Sequence, residues 1–170
     1  LEATNNTYDQ LFAPADAIRG AGAATFQYLL KQPAKKLTLE VLDGAGQVIY
    51  SVEGAPPAQP GQRGGRGAAE GRGGGGRGRG GAPSASLAAG LNQVTWGLTY
   101  PGATTFPGMV LWGASTNGPA AVPGKYLVRL TVDGHVQTQP LTVRRHPLRS
   151  ATDADLKEQF DLALRIRDKV

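Results

Sequence analysis

The residues best suited to chemistry in this chain are arginines. Arg63, Arg66, Arg72, Arg77 and Arg79 stand in the tract GQRGGRGAAEGRGGGGRGRGGA, residues 61–82, with RGG triplets at Arg63, Arg72 and Arg79. A guanidinium binds phosphate and stacks on bases, and glycine keeps the backbone pliable, so such a segment can hold RNA or another polyanion. Nucleic-acid boxes of this kind usually interleave Phe or Tyr for stacking, and this one has no aromatic residue. The plainer reading, a low-complexity insertion in a surface loop, carries more weight, because loop-closure cost rises slowly with length. Nucleic acid is therefore not the expected partner. Gly71–Gly76 matches GxGxxG formally. A dinucleotide fingerprint needs a strand before it and a helix after it, and glycine-rich chain lies on both sides here.

Other candidates are sparse. Trp112, in a Gly/Pro-rich region, could stack on a sugar ring if exposed, and it is the candidate carbohydrate contact. Trp96 alternates in phase with Val94 and Leu98, so its expected place is the core. His135 and His146 are the only histidines, and neither stands among carboxylates. Metal binding or acid–base work needs several convergent groups. Gly113 to Asn117 lacks the second glycine of a nucleophile elbow around Ser115. Asn5-Asn-Thr7 is a glycosylation sequon, meaningful only in a eukaryotic secretory host. With no cysteine, disulfides and thiolate metal sites are excluded. No catalytic, cofactor-binding or metal-ligating set can be assembled, and no cofactor is expected.

The charge balance is lopsided. The formal net charge is +5, and the tract, with five arginines against Glu70, holds +4 of it, leaving +1 for everything else. The tract also holds 12 of the 25 glycines. Such a composition cannot bury enough apolar surface to offset chain entropy, so disorder is expected there. No apolar run approaches the ~20 residues of a transmembrane helix, so no membrane insertion is expected. The chain starts at Leu1 and ends at Val170 inside a helical pattern, which reads as part of a longer polypeptide.

What must position any site is a set of short strands. Phe26, Tyr28 and Leu30 share one face, and Leu37, Leu39 and Val41 alternate with Thr38 and Glu40. Asp43-Gly-Ala-Gly46 reads as a hairpin turn, with Val48, Tyr50 and Val52 on the return strand. Val94, Trp96, Leu98 and Tyr100 alternate next, and Met109 to Trp112 reads as a short edge strand. Tyr126, Val128, Leu130 and Val132 lead into Asp133-Gly134, a two-residue hairpin signal, and Val136, Thr138, Leu141 and Val143 return. Pro140 cannot donate to a ladder and marks an edge or a bulge. Six or seven antiparallel strands of this kind call for two packed sheets. The tail then changes period. Thr152 can cap a helix with Asp153 and Asp155 in its first turn; Leu156, Phe160, Ala163 and Leu164 form one stripe, Leu162, Ile166 and Val170 a second. Asp161 and Arg165 have i,i+4 spacing for an ion pair.

The expected organisation is an N-terminal connector (1–23) and a β-sandwich (24–146) with a long loop (54–90) that carries the Gly/Arg-rich insertion (61–82). A C-terminal helix (147–170) completes it. The run from Leu37 to Val143 resembles the immunoglobulin-like domain of the flagellar hook-capping-protein type. LTLEVLDGAGQVIY, LAAGLNQVTWGLTYPG and AAVPGKYLVRLTVDG carry the resemblance in order. With the following QPLTVRRHPLRSATDADLKEQFDLALRIRDKV, it is similar to the C-terminal region of exported bacterial proteins that carry a sortilin-like or sialidase-like β-propeller upstream. Those are often labelled glycosyl hydrolases. Gly97 stands where an acidic residue is usual, and the tract lengthens one loop. The resemblance implies an immunoglobulin-like antiparallel β-sandwich, a non-catalytic accessory role beside the propeller, and an exported location, periplasmic, outer-surface or extracellular. The alternative is an RNA- or polyanion-binding module acting through the arginine tract.

Overall fold

The computed structural model describes residues 9–56, 84–104 and 117–169. The arginine tract, Trp112, the strand expected over Met109–Trp112, residues 113–116 of the Ser115 run and the sequon lie outside the described residues.

The protein is mainly β, with packed sheets and one C-terminal helix. Its described strands are β1 (Gln10–Leu11), β2 (Ala17–Ile18), β3 (Ala24–Leu30), β4 (Leu37–Leu42), β5 (Val48–Ala55), β6 (Ala85–Ser86), β7 (Gly90–Trp96), β8 (Gly124–Val132) and β9 (His135–Arg144). The helix α1 covers Asp153–Arg167. One sheet has three strands in the order β1-β3-β7, and the other has six, β2-β9-β8-β4-β5-β6. The main ladders are antiparallel as expected, but β2 joins β9 and β6 joins β5 in parallel.

The period-two pattern does its work between the sheets. Phe26, Tyr28 and Leu30 from β3 meet Leu37, Leu39 and Val41 from β4 and Val128 and Leu130 from β8, all at most 1% exposed. Trp96 is 1% exposed and its indole N–H donates to the Thr99 carbonyl at 2.9 Å. Its ring lies edge-on to Tyr126 with centroids 5.8 Å apart. Among the described residues every buried side chain is apolar or aromatic. Burial of this kind contributes ~25 cal/mol per Å² and drives the two sheets together.

Turn chemistry sets the register. Asp133 (φ 47°) and Gly134 (φ 94°) both take left-handed conformations, as a two-residue type I′ turn requires. The turn closes the Val132–His135 pair and fixes the β8–β9 register. Alternation from that pair puts Pro140 at a non-hydrogen-bonded position opposite Leu127, so its missing N–H falls on the open edge. At the other hairpin the Asp43 carboxylate accepts from the backbone N–H groups of Ala45 and Gln47, each at 2.9 Å.

Two details of facing go beyond the strand pattern in the sequence. On β5, the register slips at Val41/Leu42, so Tyr50 faces Val41 and Val48 faces Leu42. This bulge leaves an extra residue, and Ile49 goes inward while Val48 is 43% exposed. On β9, Val136 is 58% exposed and the inward places before Leu141 belong to Gln137 and Gln139. These glutamines do backbone work. Gln137 accepts from Leu11 N–H at 2.8 Å and donates to the Asp9 carbonyl at 2.6 Å; Gln139 donates to the Leu11 carbonyl at 3.1 Å. Their amides stitch β1, at the edge of one sheet, to β9 of the other. The segment expected as a connector thus supplies β1 and β2, one strand to each sheet, and Leu11 is only 1% exposed.

Candidate functional site

The described element with apolar stripes left to cover is the helix. Thr152 caps it in a complete capping box: its hydroxyl accepts from Asp155 N–H, and the Asp155 carboxylate accepts from Thr152 N–H at 2.8 Å. That hydrogen bonding holds the Asp155 carboxyl below its ordinary value. The Asp161 carboxylate pairs with Lys157 at 2.8 Å, one turn back, rather than with Arg165.

The two stripes of α1 have different fates. Phe160 is the one buried residue of the helix. Its ring packs edge-on against Tyr100, with centroids 4.6 Å apart, and Leu156, Ala163 and Leu164 are half-buried beside it. Leu162 and Ile166, by contrast, are 51% and 57% exposed. Polar contacts add to the docked stripe. Arg19 donates to Gln159 Oε1 at 3.1 Å beside Phe160, and Arg167 donates to the Pro101 carbonyl at 3.3 Å near the end of the helix.

Tyr100 owes its place to a short crossing of chain. Beyond Trp96 the ladder stops, because Leu98 turns into the left-handed region (φ 55°). The chain then pairs with residues 119–121 through Tyr100 N–H to Pro119 and Ala121 N–H to Leu98. A Cβ at Gly118 would collide with the Tyr100 carbonyl, so glycine is required there. Burial, with Tyr126 and Asp43 beside it, pushes the Tyr100 phenol far above its usual range. At neutral pH it is a neutral hydrogen-bonding group.

The histidines are placed apart. His135 is exposed at the Asp133-Gly134 turn and lines an open groove with Lys31, Lys35 and Asp133. There the Asp133 carboxylate accepts from the Lys35 and Lys36 backbone N–H groups, which lowers its pKa. His146 is half-buried near the far end of β9, where its Nδ1 accepts from Leu148 N–H. Among the described residues no three His, Cys, Asp or Glu side chains could share a metal ion. Nor is any described helix long and apolar enough to cross a membrane.

The five tract arginines and Trp112 lie outside the described residues, but the stems of the long loop do not. Gly54 pairs with Ala85 and Ala55 with Ser86, so the chain leaves and re-enters the fold at adjacent points. Sequence reasoning missed that closure, because two-residue strands carry no periodicity.

Comparison with protein-family models, with curated proteins and with solved structures finds no match.

Proposed function

We propose that this chain is a non-catalytic, immunoglobulin-like accessory domain of an exported protein, packing against and positioning a neighbouring β-propeller. The observation that carries this reading is the division of labour on α1. One stripe holds the helix to the sandwich through Phe160, and the other offers Leu162 and Ile166 outward. A ridge of this kind on a body whose described core is apolar and aromatic suits a structural joint. The immunoglobulin-like description rests on the β4–β5 and β8–β9 hairpins in one sheet and the β3–β7 pair in the other, together with the sequence resemblance.

The test is hydrogen exchange over residues 153–169, in this chain alone and in the longer polypeptide that carries the propeller. Exchange should slow in the longer protein, and Leu162→Glu with Ile166→Glu should return it to the rate of the isolated chain. Equal exchange in both settings would overturn the joint.

A further inference from the structure

Seven described arginines differ in how their charge is met. Arg129 pairs with Glu40, Arg144 with Asp16 and Arg167 with Asp168. Arg19, Arg145, Arg149 and Arg165 have no ion-pair partner among the described residues, and the fold brings the first three together. The parallel β2–β9 pair seats Arg19 beside the end of β9, with Arg19 N–H donating to the Arg144 carbonyl at 2.9 Å. Arg149 returns toward the same place, its guanidinium lying beside Gly20. With His146, Ala151 and Leu156 they line a small cleft under the start of α1, about 20 Å³ in volume.

Two of the guanidiniums are already held in position. Arg19 is tied to Gln159, and Arg145 donates to the Ala151 carbonyl at 3.2 Å. The Arg19 Nε–H is buried with no hydrogen-bond partner among the described residues. Buried donors are nearly always satisfied, so an open one on a residue that lines a cationic cleft points to a missing acceptor. The nearby carboxylates are otherwise placed: Asp16 is on Arg144, Asp155 is in the capping box, and Asp153 lines a separate groove with Arg144 and Arg145.

We propose that this cleft binds an oxyanion, one oxygen of which enters to accept from Arg19 Nε while Arg149 closes on the rest from outside. The volume admits one water-sized atom, so the remainder of the group sits at the mouth. Guanidinium–oxyanion bonds are charge-assisted and suit phosphate or carboxylate equally in kind. A bound anion would cross-link β2, the end of β9 and the loop before α1, and so fasten the helix to the sandwich. This inference stands independently of the proposed joint with a propeller.

Inorganic phosphate is the probe. The Arg19 Nε–H resonance is followed by NMR while phosphate is added at constant ionic strength, with chloride as the control and acetate as a separate arm. A saturable shift with phosphate is expected, with a parallel rise in melting temperature because the ligand binds only the folded chain. Arg149→Gln, at an exposed position, should weaken the phosphate affinity roughly tenfold, the loss of one charge-assisted contact. If acetate saturates as well, a carboxylate can be the source; if it does not, the site is one for phosphate, and either result upholds the oxyanion. No shift, a shift matched by chloride, or an unchanged affinity in Arg149→Gln would mean that only water fills the cleft, and would overturn the proposal.

Discussion

The sandwich interior and the helix joint use the same kind of contact to different depths. Trp96 meets Tyr126 edge-on inside the body, and Phe160 meets Tyr100 edge-on at its surface. Trp96 is closed in from both sheets, whereas Phe160 is the only buried residue on a fifteen-residue helix. An aromatic pair fixes geometry in either place. The stability it carries depends on how many neighbours also leave water with it, so the body should survive loss of the joint, and the joint should not survive loss of the body.

The harshest trial of that asymmetry is Trp96→Ala. Truncating a buried aromatic costs ~3–5 kcal/mol, against a total stability of ~5–15 kcal/mol for a domain. Helix and strand signals in circular dichroism should vanish together, or the melting temperature should collapse; an unchanged melt would refute the placement of Trp96. Phe160→Ala should cost less, about 2 kcal/mol. It should release α1 while the strand signal stays, and simultaneous loss of both would show that the helix belongs to the core.

Thr152→Ala comes next, at ~1 kcal/mol for a lost N-cap. The same cap gives the joint a pH response. Asp155 is held below its ordinary value of 3.8 by the Thr152 N–H and hydroxyl, so its contribution is complete above that value and fades as pH falls through the lowered one. Helicity should therefore drop in acid below about that ordinary value, and Asp155→Asn should lack this drop. The smallest effect should come from deleting residues 61–82. Loop-closure entropy changes by only ~0.6 kcal/mol per doubling of length, so the melt should barely move. Affinity for heparin or RNA, measured before and after the deletion, tells whether the tract also binds polyanions.

Sequence legibility followed the same divide. Turns written into adjacent residues were readable: Asp133-Gly134 and Asp43–Gly46 stand where their chemistry requires, and Trp96 is core. The Thr152 cap and the two helix stripes were readable for the same reason. Less was readable where a long-range partner decides. The β5 bulge moves Ile49 inward through its pairing with β4, and β1 is held by glutamines more than a hundred residues away. The Arg19–Arg145–Arg149 cleft was invisible for the same reason, since only the parallel β2–β9 pair unites its members.

The paired stems at Gly54–Ala85 carry a consequence for how such a chain can change. Between ends held at neighbouring points, added length costs the scaffold little. Segments gained, lost or exchanged there should leave the rest of the protein folding as before. A binding peptide or reporter grafted between Ala55 and Ala85 should leave the sandwich intact.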